Sequence, residues 1–220
     1  MKVSFTLVGC ESVKSVRNRI INIMVRRDKA FLKLKKQIEN CKICQKNFGF
    51  KPRPIFWGSH KSKIIHISQA PSLNVHKTQY PFNDKSGERL RKEWYQVSNE
   101  DFYNPHNFYI TAIAHCYPGR NKSGGDQKPP KICAEKWLLQ ELKLLKPKLF
   151  LVVGSYATHF FFPTKKLSKL VFEDIKISEI PCFVLPHPSS LNRKWFKDNP
   201  EFGKKKLPEI RRKIKEVIEN

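Results

Sequence analysis

A chain of 220 residues that is 40% hydrophobic and 12% aromatic has enough apolar mass to bury a core, which excludes a disordered polymer. Its formal charge of +24 excludes an acidic binding surface and makes a polyanion, nucleic acid by default, the expected partner. No apolar run approaches the roughly 20 residues that span a bilayer, so no membrane role is expected.

At the start, Leu7-Val8-Gly9-Cys10 superficially resembles a lipoprotein signal. Its apolar stretch falls short of the roughly 7–15 residues of a signal core and is interrupted by Ser4 and Thr6, so an ordinary terminus and a cytoplasmic location are expected. From Ser12 to Asn40 the pattern is helical: Val13, Val16, Ile20, Ile23 and Met24, then Phe31, Leu34 and Ile38 after the basic break at Arg26-Arg27. Pro52 and Pro54 end any helix there. Residues 1–27 are set apart as an N-terminal, helical extension, and 28–220 as one domain.

Four short, near-continuously apolar runs follow: Ile64 to Ile67, Phe108 to Ile113, Leu149 to Val153 and Phe183 to Leu185. They read as buried parallel strands. Helical stretches over Gly87 to Val97, Ile132 to Leu145, Ser155 to Phe162 and Pro208 to Ile218 alternate with them. The expected fold is α/β, a three-layer sandwich whose central, mostly parallel four-stranded sheet is flanked by helices. Each strand ends in a polar, Pro-punctuated or glycine-bearing loop: Ser68 to Ser72, His115 to Asn121, Gly154 to Tyr156, and Pro186 to Asn192. In open α/β sheets ligands bind beyond the carboxyl ends of the strands, so these loops describe a pocket.

Cys41 and Cys44 form a close pair, and Cys116 and Cys133 stand alone further on. A disulfide framework fits poorly in a long, Lys-rich chain without a secretory signal. Four thiolates from three segments suit a metal ion or an iron–sulfur cluster. Cys182, beside the fourth strand, reads as core, and Cys10 has no comparable neighbours.

These features together resemble the uracil-DNA glycosylase superfamily, in its iron–sulfur branches, families 4 and 5, over roughly Cys41 to the C-terminus. The resemblance rests on the four cysteines, Ala70-Pro71, Pro81-Phe82-Asn83-Asp84-Lys85-Ser86-Gly87, Ile110-Thr111-Ala112 and His187-Pro188-Ser189-Ser190-Leu191-Asn192, in that family's order. It implies a [4Fe–4S] cluster on Cys41, Cys44, Cys116 and Cys133, with zinc as the alternative. It also implies removal of uracil, or another deaminated base, from DNA in base-excision repair, by a monomer that flips the nucleotide out of the helix.

Losing a base from its sugar builds positive charge on the sugar and negative charge on the base, so a carboxylate and a hydrogen-bond donor are needed. By resemblance His187 is that donor, Asp84 the carboxylate that orients water, and Asn121 a base-reading or water-positioning amide. Asp84 also reads as a turn and helix-cap residue, and Asn121 as part of a solvated loop. Gln69, Ala70, Pro71 and Ser72 of the first loop, together with Ser189, Ser190 and Asn192, are expected to hold substrate and phosphates. Phe82 is expected to stack on the base or to lie in the core, and Leu191 to wedge into the duplex.

The chain departs from family 1, which has its general base where Ala70 stands. It departs from family 4, which has an acid at Gln69 and an asparagine at Ala112. The family 5 pattern fits better. A second reading, a non-catalytic, basic, cluster-stabilised nucleic-acid-binding domain, stays open on the missing first-loop acid.

Overall fold

A computed structural model describes residues 13–45 and 51–220, with backbone only for 13–20. The expectations for Met1 to Cys10 lie outside the described residues, as do those for the side chains of Val13, Val16 and Ile20.

The sheet has five strands: β1 (Ile64–Ser68), β2 (Phe108–Ala112), β3 (Leu149–Val153), β4 (Ile175–Ile177) and β5 (Ile180–Leu185), in the order β2-β1-β3-β5-β4. The first three strands and β5 pair in parallel. The edge strand β4 is antiparallel to β5. It is the one strand absent from the sequence reading, because three residues with a central lysine, Ile-Lys-Ile, are too short to show a period.

Every residue of β1, β2 and β3 is buried. Strands buried along their whole length must be covered on both faces, which accounts for their unbroken apolar sequence and gives the three layers. From β1 the chain moves outward to β2 on one side, and after crossing to β3 it moves outward to β5 on the other, so the loops after β1 and β3 diverge and open a crevice at the sheet's carboxyl edge.

The long first helix, Val13–Glu39, runs unbroken past position 27. Phe31, Leu34 and Ile38 are buried. Ile23 and Met24, expected on the same apolar stripe, are about half exposed. Among the described side chains of this helix, those buried lie in its C-terminal part, and the helix packs chiefly against the helix Leu139–Leu144. Among the described residues no helix is long and apolar enough to cross a membrane.

Candidate active site

A cavity of about 400 Å³ opens at the carboxyl ends of the strands. Gln69, Ala70, Pro71 and Ser72 enter it from the β1 loop. Phe82 and Asp84 form another wall, and His187, Ser189, Leu191 and Asn192 come from the β5 loop. Ser190 and Asn121, both expected at the site, do not line it, whereas Thr111, Ala112 and Asp126 do.

The Phe82–Asp84 wall is fixed by backbone geometry. Asp84 caps the short helix Lys85–Glu88: its Oδ1 accepts from the Gly87 N–H at 2.9 Å, and its Oδ2 accepts from the Ser72 hydroxyl at 2.8 Å. Ser72 in turn caps the helix Leu73–Thr78 by accepting from the Val75 N–H. The expected cap is thus present, and Asp84 carries it at the cavity wall.

Phe82 adopts the left-handed region, with φ +57°. A Cβ at Gly87 would lie 1.8 Å from the Phe82 carbonyl oxygen, so only glycine permits this close turn. The same carbonyl accepts from the guanidinium of Arg91, whose side chain is buried and also bonds Tyr103 Oη at 3.1 Å and Asn99 Oδ1 at 2.9 Å. Tyr103 Oη donates to the Pro81 carbonyl at 2.7 Å. Behind Phe82, the His66 ring of β1 meets it edge-on at 4.7 Å. His66 is fully buried, neither ring nitrogen finds a partner among the described residues, and burial pushes its pKa down to about 3.

His187 is held from three directions. Its Nδ1 accepts from the Ser189 N–H at 3.2 Å, and its carbonyl accepts from Asn192 Nδ2 at 2.8 Å. Arg89 donates to the adjacent Pro188 carbonyl at 3.3 Å while lying over the Phe196 ring. A backbone N–H can only donate, so Nδ1 is the acceptor and the ring proton of the neutral imidazole sits on Nε2. Burial lowers the His187 pKa, with the carboxylates of Asp84 and Asp126 pulling the other way, and the net direction is downward. At neutral pH His187 is therefore an uncharged N–H donor in a cavity that also holds a fixed carboxylate. Leu191 stands at the cavity rim with 92% of its surface exposed.

Asn121 bonds within its own solvated loop, the second of the two readings given for it. Its Oδ1 accepts from the Ser123 and Gly125 N–H groups and its Nδ2 donates to the Asp126 carbonyl. It organises a glycine-bearing turn, and the side chain this turn brings to the cavity is Asp126. The sequence reading missed Asp126 because Ser123-Gly124-Gly125-Asp126 looks like plain turn chemistry. The one signal was a carboxylate within a loop that follows a buried strand.

The four cysteines line a second, small and apolar cavity with Ile38, Pro52, Pro54, Pro130 and Trp137. Trp137 Nε1 donates to Cys41 Sγ at 3.2 Å, and the His115 N–H donates to Cys133 Sγ at 3.3 Å. The His115 ring bridges Cys133 Sγ at 3.4 Å and Glu141 Oε2 at 3.0 Å, and Glu141 also accepts from Tyr109 and Thr111. Burial, then the charges of Cys133, Cys41 and Cys44, push the Cys116 thiol up to about 12. Thiolates in such a place call for positive charge between them. Among the described residues no three His, Cys, Asp or Glu side chains are arranged to hold a single metal ion.

Residues 55–211 match the family model described as the uracil DNA glycosylase superfamily. A relative named "Type-4 uracil-DNA glycosylase" in Thermotoga maritima is 20% identical over 145 residues, covering 66% of this chain and 72% of the relative. A second protein of that name, in Archaeoglobus fulgidus, is 22% identical over 165 residues, covering 70% and 79% respectively.

Proposed function

The chain belongs to the uracil DNA glycosylase superfamily, and from that premise we propose that it hydrolyses the N-glycosyl bond of uracil in DNA as the first step of base-excision repair. Residues 28–220 form the catalytic domain in this reading, and DNA is bound through the basic surface that the +24 charge provides. The observation that carries the proposal is the pairing, in one cavity, of a neutral His187 with Nε2–H as donor and an Asp84 carboxylate fixed by two donors.

The chemistry follows from where charge develops. As the bond between C1′ and the base lengthens, the sugar becomes positive and a base carbonyl oxygen becomes negative. Asp84, held by Gly87 and Ser72, faces the positive charge without reorganising. His187 Nε2–H stabilises the carbonyl oxygen, and because the imidazole is neutral it does so without delivering a proton to the base. Phe82 offers an aromatic face to the extruded base, and the exposed Leu191 fills the gap left in the duplex. Ser72, Ser189, Asn192 and the first-loop residues Gln69, Ala70 and Pro71 position substrate, with Ser190 outside on the phosphate side.

Cys41, Cys44, Cys116 and Cys133 are the residues that would hold a [4Fe–4S] cluster. In a single-zinc site, Zn–S bonds of about 2.3 Å gather four sulfurs tightly around one ion. Four cysteines from three segments lining one small apolar cavity fit the closed thiolate shell that either zinc or an iron–sulfur cluster requires. When bound, the cluster supplies a brace joining the first helix to the β2 loop, and the hydrolysis draws no electrons from it.

The test is incubation of purified protein with duplexes carrying uracil, hypoxanthine, xanthine or a T·G mismatch, followed by alkaline cleavage of abasic sites. Scission at uracil, reduced by about 10²–10³-fold in a folded His187→Ala protein, is the expected result. Tight binding with no abasic product on any duplex would instead favour the non-catalytic module.

A further inference from the structure

We propose that Asp126 is a further catalytic residue of this site, the carboxylate that takes the proton of the attacking water. The inference rests on the glycosylase reading above and divides the work of that site between two carboxylates.

The division follows from how each carboxylate is held. Both oxygens of half-buried Asp84 already accept hydrogen bonds, from the Gly87 N–H and the Ser72 hydroxyl, in the helix-capping wall. Such a group suits a fixed charge. Asp126 lines the same cavity from the loop after β2 and, unlike Asp84, is exposed to solvent. The groups around it are Arg120, whose backbone bridges to it, and the Tyr117 phenol and His187 imidazole, both close enough for its charge to act on them.

The loop is built to present this one side chain. Arg120 and Asp126 form an isolated backbone bridge, Asn121 N–H donates to the Gly125 carbonyl at 2.8 Å, and Gln127 N–H donates to the Gly119 carbonyl at 2.8 Å. Inside that ring Asn121 satisfies the turn's Ser123 and Gly125 N–H groups and holds the Asp126 carbonyl. Asn121 is thus a positioning residue that acts through Asp126.

In the step itself, the bond from C1′ to the base nitrogen breaks and its electron pair leaves with the base, whose carbonyl oxygen is held by His187 Nε2–H. The water oxygen bonds to C1′, and the water's proton passes to an Asp126 oxygen. That proton then leaves through solvent to the departed base anion, which restores the carboxylate and yields neutral base and an abasic sugar.

The test measures single-turnover rates on a uracil·guanine duplex for wild type, Asp126→Asn, Asn121→Ala and the double variant, between about pH 5 and 9, with and without added formate. General-base loss predicts a fall of about 10²-fold in Asp126→Asn, a rate that climbs with pH as hydroxide replaces the base, and partial recovery with formate. Asn121→Ala falls by a smaller factor, and adding it to Asp126→Asn produces no further loss. A rate within about two-fold of wild type overturns the proposal, as does a slow Asp126→Asn protein that neither climbs with pH nor responds to formate, or a double variant whose losses multiply. Circular dichroism checks folding, which an exposed loop substitution should leave intact. A wild-type protein without abasic product on any duplex sinks the parent reading and this one with it, whereas an active wild type with an equally active Asp126→Asn protein sinks this one alone.

Discussion

The Phe82–Gly87 wall and the Asn121–Asp126 loop face each other across the same cavity, yet they are made in opposite ways. In the first, a buried arginine grips a carbonyl, a glycine leaves room for that carbonyl, and a helix cap fixes the carboxylate. In the second, one asparagine ties an exposed turn together through its amide. A buried and crowded wall gives a charge and an aromatic face that do not move. An exposed loop gives a carboxylate in contact with water. The contrast suits a reaction that needs one preorganised charge and one group that exchanges protons.

If the first wall depends on backbone contact, Gly87→Ala has the largest effect in the molecule. The new Cβ has nowhere to go, since the obstacle 1.8 Å away is backbone oxygen rather than a flexible side chain. The expected cost is about 4 kcal/mol or more in a urea titration, the range of severe strain, with glycosylase activity lost. Next comes Arg91→Leu, which leaves the Phe82 carbonyl, Tyr103 Oη and Asn99 Oδ1 without this donor. Orphaned buried polar groups predict about 3 kcal/mol of destabilisation. Either variant at wild-type stability would show that the wall is not held by the backbone contacts described.

His66, behind Phe82, adds a pH dependence of definite sign. Burial holds its pKa near 3, against 6.5 for the ordinary group. As pH falls below that ordinary value the unfolded chain takes up a proton that the native protein refuses, so this contribution to stability is present above about 6.5 and is lost progressively down to about 3. At about pH 4.5 the loss is roughly 3 kcal/mol relative to neutral pH. His66→Leu, similar in volume and without unpartnered nitrogens, should show a shallower fall between those two conditions in urea midpoints. An equal fall in both proteins would assign the acid sensitivity elsewhere, for example to His60, His76 or His187, whose pKa values burial also lowers.

The same contrast explains what could be read from the sequence. The four parallel strands were legible because burial on both faces demands unbroken apolar runs, and the loops at their ends marked the cavity. The places of Asp84 and His187 at the cavity were legible, the first through the family resemblance around Ser86-Gly87 and the second also through its position after a buried strand between Pro186 and Pro188. Arg91 was not, since its role depends on carbonyl and phenol partners brought together by folding. Nor was Asp126, whose turn chemistry conceals which side chain the turn delivers. The antiparallel β4 and the exposure of Ile23 and Met24 also escaped, because a three-residue strand has no period and a helical period does not say where packing stops.

The smallest effect on stability belongs to the rim. Leu191 is 92% exposed, so truncation to alanine removes almost no buried surface and should change stability by less than about 0.5 kcal/mol. Nothing among the described residues accounts for a large apolar side chain held out in water by the 3₁₀ turn Ser190–Asn192. The role proposed for it, occupation of the space vacated by a flipped nucleotide, would account for it. Because unstacking costs a few kcal/mol in a duplex and least in a single strand, Leu191→Ala should slow uracil release from duplex DNA while leaving release from a single strand near wild type. Equal slowing on both substrates would make Leu191 part of the cavity wall, on the same footing as Phe82, and would remove the distinction between a rim that acts on the duplex and walls that act on the base.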